Sequence, residues 1–292
     1  MLDFAQTRQW RSADVRHAYT TSDTILYALG VGAGANPLDE RELRLVYEKD
    51  LVALPSLAAV LASPGSWMTE EKHLGIDFLK LVHGEQAVVL HAPLSAAGTL
   101  IGRSRVTRIV DKGEGKGAVM HVEKRLYDEA TQQHVATCEQ VLFLRGNGGF
   151  SAQQGADEPA PPPAEPPSGA PDLSLDLPTR ADQAVLYRLS GDLNPLHIDP
   201  SMASKAGFSK PILHGLATYG IACRAIVQHL CEYRPERLQA IRARLSSPVY
   251  PGETLRLDVW RLAAGEVAFR AQVLERQVTV LSHGRAQLQA GN

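Results

Sequence analysis

Cysteine is scarce in this sequence, and charge of one sign does not prevail. The 292 residues include three cysteines, Cys138, Cys223 and Cys231, none of them spaced as CxxC. An odd, unpatterned set suits buried thiols in a reducing compartment better than a disulfide framework. Thirty Lys and Arg stand against 32 Asp and Glu, a formal net charge of -2. So small an imbalance argues against nucleic acid or an anionic membrane as a partner. Long apolar runs are missing too: none approaches the roughly 20 residues that span a bilayer. Met1 to Tyr19 mixes charges where a secretory signal would carry an apolar stretch, and Gln289-Ala290-Gly291-Asn292 is no peroxisomal tripeptide. These absences together lead us to expect a cytoplasmic protein.

What is present is enough for a real core. Hydrophobic residues make up 44% and charged residues 21% of the chain, which excludes global disorder. The length fits two units of roughly 100–150 residues. The boundary falls at Ser151 to Pro171, where seven of twenty-one residues are proline. Such a segment reads as an extended, semi-rigid linker between residues 1–150 and 172–292.

The two halves echo each other. Ile25-Leu26-Tyr27-Ala28-Leu29-Gly30 precedes Asn36-Pro37-Leu38, as Val185-Leu186-Tyr187-Arg188-Leu189-Ser190 precedes Asn194-Pro195-Leu196. Ala92-Pro93-Leu94 with Gly98-Thr99-Leu100 likewise matches Ser247-Pro248-Val249 with Gly252-Glu253-Thr254-Leu255. An old duplication of one fold explains both matches. In the second half, Ala181–Ser190 reads as a helix stopped by Gly191, and Asp199-Pro200 as an N-cap with proline behind it. Ile212 to Leu230 is apolar nearly all round, the mark of a buried helix. Alternating segments at 255–259 and 267–273 follow as strands. A buried helix followed by antiparallel strands implies a sheet curled around that helix. The first half repeats the order, with a short helical Pro55–Ala62 and strands near 88–90, 100–110, 118–126 and 135–143.

Chemistry concentrates in Gly191-Asp192-Leu193-Asn194-Pro195-Leu196-His197. Asp192, Asn194 and His197 lie just past a helix end, on a turn-rich segment that lets side chains project into a cleft. A carboxylate and an imidazole sharing one water form an acid/base pair near neutral pH, and Asn194 could hold that water. Taken singly, each of the three is an ordinary turn or structural residue. Their joint spacing gains weight from a second feature, Pro211-Ile212-Leu213-His214-Gly215-Leu216, which opens the buried helix. The first N–H groups of a helix are unpaired and partly positive, so the Gly215 amide could stabilise a thioester oxygen that gains charge. Tight helix packing explains Gly215 equally well, and the two roles are compatible.

The stretch from Tyr187 to Pro200, with Ala206-Gly-Phe-Ser-Lys-Pro-Ile-Leu-His-Gly215 and Ser247-Pro-Val-Tyr-Pro-Gly-Glu-Thr-Leu255, resembles the hydratase 2 signature of the MaoC-like dehydratase family. The resemblance extends to Leu81-Val-His-Gly-Glu-Gln86, Asp111-Lys-Gly113 and Arg145-Gly-Asn-Gly-Gly-Phe150, so it covers nearly all but the linker. It implies an α+β double hot dog, two units each with a buried helix wrapped by an antiparallel β-sheet. It implies (R)-specific hydration of 2-enoyl-CoA, with Asp192 and His197 as catalytic pair, Asn194 assisting and Gly215 binding the thioester oxygen. His83, Gly84, Lys112 and Leu245 are implied as CoA-ester contacts, although His83-Gly84 and Lys112 also read as a structural turn and a solvated charge. Acyl-CoA is the expected partner, a homodimer the expected assembly, and no metal or redox cofactor is needed. A metal at His197, Asp199 and His214 is disfavoured because Asp199 reads as a helix cap.

The halves differ in one respect. Where the second carries Asp192 and His197, the first carries Gly32 and Pro37, or Asp39 for His197 if aligned on Asn-Pro-Leu. The first half therefore lacks the acid/base pair, and one active site per chain is expected. A hot dog thioesterase would share the fold but needs a carboxylate near the buried helix, and Ile212–Leu230 has none. A non-catalytic acyl-CoA or acyl-carrier binding module would have no use for Asp192, Asn194 and His197 together.

Overall fold

In the computed structural model, which describes residues 1–289, ten antiparallel strands form one continuous sheet. The first half supplies β1 (Val15–Tyr19), β2 (Leu81–Leu90), β3 (Gly98–Asp111), β4 (Ala118–Asp128) and β5 (His134–Leu144). The second supplies β6 (Leu173–Pro178), β7 (Leu238–Leu245), β8 (Thr254–Arg261), β9 (Glu266–Val273) and β10 (Val278–Leu288). The order is β1-β3-β4-β5-β2-β7-β10-β9-β8-β6. Read inward from either edge, both halves run first, third, fourth, fifth and second strand, the topology expected of a duplicated unit. They join where β2 meets β7, in register from Glu85↔Arg244 to Val89↔Ala240. This is the double hot dog architecture.

Side-chain alternation drives the curl. Along β4, buried and half-buried residues alternate without interruption from Ala118 to Leu126, so one face lines the core and the other faces out. The helix Gly215–Leu230 fills the concave side, with thirteen of its sixteen residues buried. A helix apolar nearly all round can sit there, and its buried Arg224 and Gln228 are paired with Glu42. Gly220 permits a close approach to the first half, since a Cβ there would stand 2.5 Å from Val31 Cγ1 and 2.9 Å from the Tyr27 hydroxyl.

The first half has no helix of comparable length. Its counterpart is a 3-10 helix of five residues, Pro55–Ala59. Proline opens it, Ala62 adopts φ +47°, and Ser63-Pro64-Gly65 follows, so too few helix-competent residues remain to cross the sheet. The buried carbonyls at its end are held by buried side chains. Lys124 Nζ donates to Ala59 O at 2.9 Å and to Leu61 O, and Cys138 Sγ donates to Ala58 O at 3.4 Å. Lys124 and Cys138 face each other across β4 and β5.

Beyond one helical turn at Ser151–Gln154, residues 155–171 form no strand or helix. They are tied down nonetheless. Asp157 pairs with Arg8 at 2.9 Å and accepts from Ile109 N, while Arg285 donates to Glu165 O and Trp260 Nε1 to Gly169 O, both at 2.9 Å. The proline-rich stretch thus runs from β3 to β8 as a fastened strap. Among the described residues, no helix is long and apolar enough to cross a membrane. The C-terminal residues Ala290-Gly291-Asn292, read above as no targeting tripeptide, lie outside the described residues.

Candidate active site

The loop bearing Asp192 is shaped by local rules. The helix Gln183–Tyr187 tightens into a 3-10 turn, Arg188–Ser190, which Gly191 stops at φ +116°. Few residues other than glycine adopt that conformation without strain. Asp192 Oδ1 then accepts from Asn194 N at 3.1 Å, and Asn194 Oδ1 accepts from Leu196 N at 3.0 Å. These two side-chain turns curl the chain so that Pro195–His197 forms a further 3-10 turn. Asp199 caps the next helix, Pro200–Lys205, by accepting from Ser201 N at 2.8 Å. That is the cap read from the sequence, and it occupies the Asp199 carboxylate.

His197 turns inward and is 8% exposed. Its Nδ1–H donates to Ile212 O at 2.8 Å, which fixes the tautomer and leaves Nε2 with a free lone pair. Burial pushes its imidazole below the ordinary histidine range, against the pull of the Ile212 carbonyl and Asp192. The ring is therefore neutral near pH 7.

Against it lies His214, 1% exposed, with ring centroids 3.6 Å apart and planes 26° from parallel. His214 Nε2–H donates to Asp192 O at 3.1 Å, and its Nδ1 is buried with no protein partner. Burial, reinforced by His197, pushes it down to about 4. A carboxylate oxygen of Asp192 and ring nitrogens of His197 and His214 all lie within 4.8 Å of one another.

His214 is also the N-cap residue of the central helix, and Gly215 is its first residue. Leu213 N donates to Val249 O at 2.7 Å, pinning this run to the loop after β7. Among the described residues, neither the Gly215 nor the Leu216 N–H has a hydrogen-bond partner. A sixteen-residue helix thus points its positive end, with free donors, beside the carboxylate and imidazole. A Cβ at Gly215 would stand 2.7 Å from Leu245 Cδ1, which places Leu245, the last residue of β7, against that amide.

The first-half residues divide. His83 lies on β2, next to the β2–β7 seam, and its Nε2–H donates to Glu85 O at 3.0 Å. Burial pushes it down to about 4, while Glu85 O and Asp192 pull the other way, so His83 is within electrostatic reach of Asp192. Gly84 is the residue left over where the β2–β5 register slips between His83 and Glu85. That bulge re-aims His83. Lys112 stands apart, exposed in the turn between β3 and β4. Register links put it at the same end of the sheet as Leu81, through Leu144, Ala118 and Asp111, and no contact brings it to Asp192.

The matching loop of the first half is built for packing. Gly32 has φ +85°, and a Cβ there would stand 3.4 Å from the Arg224 guanidinium. Arg224 Nε donates to Val31 O at 2.9 Å and pairs with Glu42 at 3.5 Å, and Gln228 joins Glu42 at 2.7 Å. Asp39 is bound by the Tyr233 hydroxyl and by Arg41. Residues from the far end of the central helix therefore fill the space where a second acid/base pair would stand. In the sequence His214 was weighed only as a metal ligand with His197 and Asp199, and not as part of the acid/base site. Its position directly before Gly215 was the available signal.

Residues 163–283 match the model of the MaoC like domain, and residues 17–146 that of the MFE-2 hydratase 2 N-terminal domain. The chain is 43% identical to 3-hydroxyacyl-thioester dehydratase Y of Mycobacterium tuberculosis, across 87% of this chain and 86% of that one. It is 36% identical to the peroxisomal enoyl-CoA hydratase 2 of Arabidopsis thaliana, across 92% and 90%. The crystal structure of a MaoC-like dehydratase from Phytophthora capsici superposes with a TM-score of 0.85 at 32% identity, covering 98% of both chains. With both halves matched and whole-length relatives above 30% identity, this chain belongs to the MaoC-like dehydratase family, in its two-domain hydratase 2 form.

Proposed function

We propose that the chain catalyses the reversible, (R)-specific hydration of trans-2-enoyl-CoA to (3R)-3-hydroxyacyl-CoA at Asp192, His197 and the Gly215 N–H. One observation carries the reading: a carboxylate and a neutral, tautomer-fixed imidazole lie within 4.8 Å of each other beside an unpaired helix N-terminus. Asp192 and His197 hold one water over C3 of the enoyl thioester. As its oxygen bonds to C3, the π electrons move toward C2 and the thioester oxygen gains negative charge. The Gly215 N–H meets that charge with a donor already in place. One proton of the water passes to the pair, and a proton from the pair reaches C2, so the site returns to its starting state. The two groups act as one titrating unit.

Asn194 serves this site by shaping the loop, because its side-chain oxygen is engaged in the turn, and its amide NH2 has no hydrogen-bond partner among the described residues. His83, Gly84 and Leu245 line the CoA-ester side, and Lys112 offers a cation at the same sheet end for the charged part of CoA. The reaction needs no metal or redox cofactor. A cytoplasmic homodimer with acyl-CoA as its partner completes the reading, and light scattering after gel filtration tests the dimer.

The test is an assay with crotonyl-CoA and a longer trans-2-enoyl-CoA, followed by the enoyl-thioester absorbance. Loss of absorbance without release of free CoA, and a (3R) product on chiral analysis, is the expected result. Release of free CoA identifies a thioesterase instead, and an inert protein removes the proposal.

A further inference from the structure

His214 was not needed for the chemistry above, yet it touches Asp192 and His197 and directly precedes Gly215. It sits at the N-cap of the central helix, one residue before the Gly215 amide, without making a side-chain cap of its own. Its Nε2–H holds the main-chain oxygen of Asp192 at 3.1 Å, and its ring centroid lies 3.6 Å from that of His197. It also meets the tilted ring of Tyr187, 4.9 Å between centroids. The side-chain oxygens of Asp192 are left free of it, because the bond is made to the backbone.

We infer that His214 is a positioning residue: it clamps the Asp192 loop to the helix that presents Gly215 and backs the His197 ring, setting the distance between acid/base pair and oxyanion donor. Asp192 and His197 come from one loop, and Gly215 comes from a different element. Within the loop, turns fix Asp192 and Asn194 relative to each other. Two hydrogen bonds cross from that loop to the run before the helix, His197 Nδ1 to Ile212 O and His214 Nε2 to Asp192 O. The second reaches the residue that carries the carboxylate. Misplacement of about 1 Å between reacting groups can cost a hundredfold in rate, so a clamp of this kind is felt in the chemical step.

The clamp works only as one tautomer. A carbonyl accepts and never donates, so the proton must be on Nε2, and Nδ1 carries a lone pair. That Nδ1 is buried without a protein partner, as is the hydroxyl of the adjoining Tyr187. Two orphaned polar atoms on touching rings are the kind of site that holds an internal water. The Asp192 carbonyl, which can only accept, keeps the proton on Nε2, and Nδ1 is then ready to accept from such a water.

This inference rests on the hydratase reading, and the tests separate the two. In His214→Phe the stack on His197 remains and the N–H donor is lost. The expected result is a ten- to hundredfold lower kcat on crotonyl-CoA with KM within about threefold of wild type. His214→Gln, whose amide N–H can reach the Asp192 oxygen, is expected to recover most of that loss. A kcat for His214→Phe within twofold of wild type overturns the inference, as does a parallel loss in both variants. Nitrogen-15 NMR of the wild-type imidazoles is independent of either variant's folding. It is expected to show the Nε2–H tautomer for His214 at pH 7, and the Nδ1–H tautomer overturns the clamp. An inert wild type would instead remove the hydratase reading itself.

Discussion

Asp192→Asn separates chemistry from architecture more cleanly than any other change at this site. Asp192 has two structural attachments, one through its carboxylate and one through its main-chain oxygen, and the substitution preserves both. Its Oδ1 accepts from Asn194 N at 3.1 Å, which a carboxamide oxygen can also do. Its main-chain oxygen accepts from His214 and is untouched. The variant should therefore fold with a stability within about 0.5 kcal/mol of wild type, the range for substitutions that remove no structural contact. What disappears is the proton acceptor. General acid–base catalysis contributes about 10²–10⁴ in rate, or roughly 3–5 kcal/mol of barrier. The expected outcome is a kcat on crotonyl-CoA reduced by at least a hundredfold, with an unchanged thermal midpoint and a KM near that of wild type. A variant retaining more than a tenth of wild-type kcat would refute the assignment of Asp192 to proton transfer. A variant that loses rate and thermal midpoint together would show the carboxylate to be structural.

Three further outcomes follow from the same geometry. Gly215→Ala places a methyl 2.7 Å from Leu245 Cδ1 and beside the free N–H; since the Leu245 tip can yield, we expect a loss of about 1 kcal/mol in stability but a tenfold or greater fall in kcat, measured by urea unfolding and the absorbance assay. Lys124→Met removes a buried cation but strands the carbonyls of Ala59 and Leu61; the unpaired acceptors outweigh the relieved charge, and the urea midpoint should fall by the equivalent of about 2–4 kcal/mol. His214, pushed down to about 4 by burial first and His197 second, has a folded value below its unfolded one. Between pH 6.5 and 4 the unfolded chain then binds the proton that the folded chain refuses. Stability is full above pH 6.5 and should fall at about 1.4 kcal/mol per pH unit below it, a slope that thermal melts on His214→Phe should show reduced.

Much of this protein was legible in the linear sequence because it depends on local rules. The Gly191 stop, the Asp199-Pro200 cap and the apolar stretch ending at Leu230 each follow from conformational preference or burial periodicity within a few residues. The repeated Tyr and Asn-Pro-Leu spacings showed two copies of one unit, and the sheet order bears this out. The cluster from Asp192 to His197 was visible as chemistry for the same reason: its residues are neighbours in the chain.

Contacts between distant residues were decided by the tertiary structure alone. The first half was expected to contain a short helix, and sequence did not reveal that a buried lysine and cysteine on β4 and β5 would take up the carbonyls left where that helix ends. Loss of the second acid/base pair was legible as Gly32, Pro37 and Asp39. That Arg224 and Gln228 of the central helix would pack into the vacated loop was not. The linker's composition spoke of stiffness, while its attachments to Arg8, β3, β8 and β10 came from partners up to 149 residues away in sequence. His214 shows the division most clearly. In the sequence it is one residue before a glycine. Only the packing of the helix against the loop brings its ring to 3.6 Å from His197 and its N–H to Asp192. Short-range preference determined which residues could do the chemistry. Long-range packing, which no local pattern encodes, determined how far apart they stand.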